Sequence, residues 1–130
     1  MNNPKDRKYS KSHEWFKLDG DVVTVGITRF AANELTDITF VDLPAVGTAI
    51  AAGKRFGEIE SVQATSDLMS SVTGQIVETN SRLANEPELV NNDSFDGGWM
   101  IKLKIADAAT LSAELDNLMD ADTYNRMLAE

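Results

Sequence analysis

Between Phe56 and Val77 the chain alternates apolar and polar residues, breaks into a polar stretch, and then alternates again. Phe56, Ile59 and Val62 are interleaved with Glu58 and Glu60, as in a half-buried strand. Ser61 to Ala64 turns polar with no Gly or Pro, and apolar residues resume at Leu68, Met69 and Val72. The spacing predicts two strands, residues 56–62 and 64–72, flanking a tight reversal with Gln63 solvent-exposed near its tip. Gly74 is the expected pivot of the next turn. A strand that reverses within a few residues must pair antiparallel with its successor, so this stretch commits the middle of the chain to an antiparallel sheet.

The rest of the chain agrees. Residues 1–8 are expected to be a solvated arm, with one domain over 9–130. His13 to Asp19 reads as a strand, Asp19-Gly20 as a hairpin signal, and Val22 to Ile27 as the returning strand. Thr28 suits a helix N-cap, with Phe30, Ala31 and Leu35 on one face. Ile38 to Leu43 is a strand closed by Pro44, and Val46 to Gly53 a turn. Asn80 is placed to cap a short helical segment through Leu83, ended by Glu86-Pro87. Asn91 to Gly98 is a polar loop, and Trp99 to Ile105 alternates as a strand. Leu111, Leu115, Leu118 and Met119 share a helical face, and Asp120 or Asp122 starts a second short helix with Tyr124, Met127 and Leu128 inward.

Composition excludes several functions. At 130 residues the chain is large enough for its own core. Its formal net charge of -9 argues against a nucleic-acid or anionic-membrane partner and suits partners with basic docking surfaces. There is no Cys, hence no disulfide or thiol nucleophile, and a single His leaves no His-rich metal site. No run approaches the roughly 18 apolar residues of a membrane span. The polar first twelve residues resemble neither a signal peptide nor a transit peptide, so a cytoplasmic location is expected. Gly47 through Lys54 resembles a phosphate loop only loosely. Five residues separate its glycines where the motif has four, and Arg55 stands where a Ser or Thr would hold magnesium.

Glu60-Ser-Val-Gln-Ala64, then Ser66-Asp-Leu68 and Gly74, resembles the lipoyl hairpin of the glycine cleavage system H-protein family, which carries Glu-Ser-Val-Lys-Ala there. Further motifs fall in the family's order: His13-Glu-Trp15, Val25-Gly-Ile-Thr28, Asp37-Ile38, Phe40-Val41, Leu43-Pro44, Asn80, Pro87, Leu89-Val-Asn91 and Gly98-Trp99. The resemblance implies a mainly β fold, a lipoyl-domain-like barrel-sandwich hybrid with short helices and a C-terminal helical segment. It also implies a non-catalytic carrier, with no catalytic residues and no metal, whose lipoate takes an aminomethyl group from the decarboxylating P protein. The arm then serves the aminomethyl-transferring T protein and is reoxidised by the flavin-dependent L protein, a lipoate ligase having attached it. By the same resemblance, Glu60, Ser61, Val62 and Ala64 flank the attachment position as the ligase would recognise it. Ser12, Glu14 and Asp67 would line the cleft that receives the aminomethylated arm. Taken alone, Glu14 and Asp67 read as ordinary solvated carboxylates.

The sequence departs from the family pattern in several places. Met69-Ser70-Ser71 replaces a Tyr-Ser-Pro-like run, Thr36 stands where Gly would cap a helix, and Ser94 and Asp96 stand where Pro and Gly are usual. Above all, Gln63 occupies the position of the lipoyl lysine. Acylation needs a primary amine, and an amide nitrogen has its lone pair delocalised into the carbonyl, so no lipoate is expected on this chain. Two readings follow: an H protein unable to carry lipoate, or a lipoyl-free H-like paralogue acting as a binding or regulatory module. No catalytic constellation supports a third reading as an enzyme.

Overall fold

A computed structural model describes residues 2–130. Glu14–Asp19 (β2) and Val22–Ile27 (β3) form the expected hairpin, turning at Gly20 with φ 65°. Lys8–Tyr9 (β1) adds to β2, and Ile101–Lys104 (β9) pairs with β3 on the other side. Gly74–Thr79 (β8) and Ala49–Ile50 (β5) complete an antiparallel six-stranded sheet in the order β1-β2-β3-β9-β8-β5. The second sheet has three antiparallel strands, Ile38–Asp42 (β4), Lys54–Ser61 (β6) and Thr65–Ser70 (β7), in the order β4-β6-β7.

One core joins the two sheets. Phe16, Val23, Val25, Ile76, Ile101 and Leu103 from the larger sheet cluster with Ile38, Val41, Phe56, Ile59 and Leu68 from the smaller. A satellite core of Tyr9, Trp15, Ala121 and Tyr124 carries the C-terminal end. There α3, Ala108–Asp116, is shorter than its apolar face predicts, since Leu118 and Met119 lie beyond it and Met119 bridges Tyr9. The second helix, α4, Ala121–Ala129, starts as expected, and the carboxylates of Asp107 and Asp120 cap the two. No helix among the described residues is long and apolar enough to cross a membrane.

Several expectations need correction. Over residues 2–8 the supposed solvated arm is packed against the body. Asn3 is buried and bonded to Asn125, and the Arg7 guanidinium lies 4.7 Å from the centre of the Trp15 ring while donating to the Phe95 carbonyl. Met1 lies outside the described residues. Gly74 is not a turn pivot. It opens β8, where a Cβ would come within 2.9 Å of the Lys104 carbonyl oxygen, so the glycine permits close approach of β9. The first two residues of the supposed loop, Asn91 and Asn92, instead complete a one-turn helix, Leu89–Asn92 (α2). Ser94 fits there because its buried hydroxyl donates to the Val90 carbonyl and its own carbonyl accepts from the Trp15 indole at 3.0 Å.

Thr28 accepts from the Ala31 amide and caps Arg29–Leu35 (α1), as expected. The core-facing residue of α1 is Ala32, with Ala31 and Leu35 packed partly beside it. At its end Thr36 takes φ 63°, ψ -148°, a region suited to glycine. The β-branched side chain is held in that region, which stores strain. Replacing Thr36 with Gly relieves that strain at some cost in unfolded-state entropy. We expect a net gain of about 1 kcal/mol, read as a higher urea midpoint.

Candidate functional site

The β6–β7 hairpin closes through residues whose roles the sequence only partly suggests. The Ser61 amide donates to the Ala64 carbonyl at 2.8 Å. The Ser61 hydroxyl accepts from the amides of both Gln63 and Ala64, at 3.3 and 3.1 Å. A serine oxygen collecting two turn amides explains a tight reversal without glycine. Gln63 is exposed at the tip, as the polar break predicts, but its side chain is engaged. Its Nε2 donates to the Glu34 carbonyl, 3.1 Å away in the last turn of α1. Val62 is 67% exposed, and its amide donates to the Asp37 carbonyl at 3.0 Å. Ala64 is exposed, while Glu60 is half-buried and sits opposite both Phe40 and Thr65.

On β2, Glu14 is only 2% exposed. Its Oε1 accepts from the hydroxyls of Ser10 and Ser12, at 2.7 and 2.5 Å, and its Oε2 from the Met69 amide at 3.2 Å. The solvated-carboxylate reading therefore fails for Glu14. It ties the start of β2 to β7 with no cation in its hydrogen-bond shell. Burial pushes its carboxyl above the ordinary value, opposed by the two serine hydroxyls and the Met69 amide. Between the unfolded-chain value and the raised native one, the native state binds more protons than the unfolded state. Glu14 thus contributes stability that is full below the unfolded value and lost as pH rises through the native one. The Glu14 carboxyl resonance should titrate above 4.5, and Glu14→Gln should flatten that part of the stability–pH profile.

Ser12 and Glu14 are thus brought together, while Asp67 is occupied elsewhere. Its carboxylate takes Arg55 Nε at 2.9 Å in an exposed ion pair, which water screens and which adds little to stability. Beside Ser12 runs a groove of about 400 Å³, lined by Ser10, Lys11, Ser71 and Glu114 among others. Glu114 is already held by the Thr73 amide and hydroxyl. Two further features lay outside the sequence reading. The Tyr124 hydroxyl sits 2.7 Å from His13 Nδ1 and 2.8 Å from the Thr28 hydroxyl. Asn91 bonds the Ile38 amide at 3.0 Å and the Thr36 carbonyl at 2.8 Å. The helix-cap signal of Thr28 and the spacing of Tyr124 on its helix were visible, but not their meeting.

On the outer side of the smaller sheet, Asp42, Glu58 and Asp67 lie abreast on β4, β6 and β7. Among the described residues, Arg55 is the one cation bonded within this row. Among them, too, no group of three or more His, Cys, Asp or Glu could hold a metal ion. The tip offers no primary amine either, since no lysine occurs between Lys54 and Lys102. The side chains of the tip, Ser61 to Ala64, therefore offer no amine to an amide-linked acyl group.

The model of the Glycine cleavage H-protein family matches residues 7–130. The chain is 48% identical over 127 residues to a glycine cleavage system H protein of Carboxydothermus hydrogenoformans, covering 98% of this chain and 95% of that one. It is 46% identical over 126 residues to the mitochondrial glycine cleavage system H protein 2 of Arabidopsis thaliana, covering 97% of this chain and 78% of the plant protein. The crystal structure of a glycine cleavage system H protein from Mycobacterium marinum superposes with a TM-score of 0.87 at 34% identity, over 98% of this chain and all of that one. With its two antiparallel sheets and few short helices in the lipoyl-domain-like barrel-sandwich arrangement, this chain belongs to the glycine cleavage H-protein family.

Proposed function

We propose that this chain is an H protein that keeps the family's docking surfaces but carries no lipoate, because Gln63 stands at the acceptor position. The observation that carries the reading is the exposed Gln63 carboxamide at the hairpin tip, with no lysine between Lys54 and Lys102. Such a protein is a non-catalytic subunit. Its partners are the decarboxylating P protein, the aminomethyl-transferring T protein and the L protein, and its setting is the cytoplasm. A lipoate ligase would still meet the flanks Glu60, Ser61, Val62 and Ala64 but find nothing to acylate. Ser12 remains bonded to the buried Glu14, while Asp67 is drawn to Arg55.

Docking follows from the surface chemistry. The acidic row Asp42–Glu58–Asp67, with Phe40 half exposed near it, suits a basic partner surface with an apolar contact. One side chain contributes little to the area that standard interfaces bury, so losing the arm leaves most of the contact in place. In a reconstituted glycine cleavage assay limited by lipoylated H protein, excess of this chain should therefore inhibit turnover. Added salt should relieve the inhibition, since exposed charges are screened beyond about 8 Å at physiological ionic strength. No inhibition at any excess would favour the alternative, a lipoyl-free regulatory module with a different partner.

A further inference from the structure

Gln63 is in the wrong chemical form for a carrier and in the right place for a contact. Helix α1 ends at Leu35, and its last carbonyls have no partner within the helix. Two side chains from distant parts of the sequence meet this end. Asn91, on α2, donates to the Thr36 carbonyl and accepts from the Ile38 amide, which fixes the α1–β4 connection in shape. Gln63 then donates from its Nε2 to the Glu34 carbonyl. The main chain follows the side chain, with the Val62 amide on the Asp37 carbonyl. The hairpin tip is thus seated at two adjacent points on a shelf that Asn91 holds.

We infer that Gln63 is a latch: its carboxamide pins the hairpin tip to the α1–β4 connection, with Asn91 as the positioning residue behind that seat. Reach and polarity both matter. A shorter side chain cannot span from the tip to the Glu34 carbonyl, and a carboxylate of the same length offers no N–H and repels the carbonyl oxygen. The latch holds Val62 and Glu60 in one orientation toward any partner, and a surface ordered in advance loses less entropy on docking. That last consequence rests on the docking reading above, whereas the latch itself does not.

Amide hydrogen exchange on the intact chain tests the latch directly. Gln63→Ala and Gln63→Glu should each speed exchange of the Val62 amide about fivefold, the factor one net hydrogen bond carries. Asn91→Ala should do the same at Val62 and Ile38. The amides of Ile76 and Leu103, in the core of the larger sheet, should not change. In the unmutated chain, a through-hydrogen-bond NMR correlation should link Gln63 Nε2 to the Glu34 carbonyl carbon. Unchanged Val62 exchange in both Gln63 variants, or absence of that correlation, overturns the latch. So does faster exchange that spreads equally to Ile76 and Leu103, because residue 63 would then support the whole fold and not the tip. If the latch holds while the competition assay shows no inhibition, the docking reading fails alone.

Discussion

Incubated with lipoate, ATP and a lipoate ligase, the chain keeps its intact mass, and a Gln63→Lys variant gains one lipoyl group. The ligase activates the lipoate carboxyl as an adenylate, and the acceptor amine attacks it, forming an amide and releasing AMP. A lysine, with an ordinary pKa near 10.4, has an accessible unprotonated form that can do this. The Gln63 nitrogen cannot, because its lone pair belongs to the carboxamide. The geometry around it needs no rebuilding. Residue 63 is exposed, and the turn is held by the Ser61 hydroxyl and main chain. Only the contact with the Glu34 carbonyl changes hands. The expected difference is therefore all or none. A lipoyl group found on the unmutated chain, for instance at Lys54, would move the acceptor site away from the tip and undo the reading of Gln63.

How much of this was legible in the residues varies by region. The hairpin was readable because its strands alternate and the break between them is polar, so the pleat and the turn signal agree. The C-terminal helices followed from helical periodicity and, for the second, from a capping carboxylate. The periodicities alone gave a mainly β chain, and only the family resemblance divided it into two sheets. The seat of residues 2–8 was not readable. Asp6, Arg7 and Lys8 look solvated in one dimension, and only the Trp15 and Phe95 rings brought over Arg7 make that stretch part of the body. Glu14 escaped for a related reason. Glu14, Trp15 and Phe16 are all buried, which breaks the alternation of a half-exposed strand. Here the first half of β2, Glu14–Phe16, is covered on both faces, Trp15 facing the satellite core and Phe16 the main one. Glu14 shares the Phe16 side and meets β7 through the Met69 amide. Likewise the contact of Gln63 with Glu34 spans 29 positions and leaves no local signature.

Gly57 is where the hairpin is most exposed to damage, and Gly57→Ala should destabilise the chain by about 3 kcal/mol, the upper part of the overpacking range. Gly57 lies on β6, between its two neighbours β4 and β7, at the register shift next to Arg55. A Cβ there would run into the Asp42 carbonyl oxygen of β4. That oxygen is backbone, so relief requires moving a whole strand off the core that Ile38, Val41 and Ile59 share. Gly20 is the instructive contrast. It has φ 65° but nothing within 4 Å of where a Cβ would sit, so Gly20→Ala meets only conformational strain, about 1 kcal/mol. The residue with ordinary dihedrals should therefore be the costlier one to change. Urea titrations of the two variants decide it, with the Gly57 variant falling by roughly 1–2 M in midpoint and the Gly20 variant by less than half of that. Equal shifts would mean that β4 can yield to a methyl group, and that the smaller sheet is looser than its pairing implies.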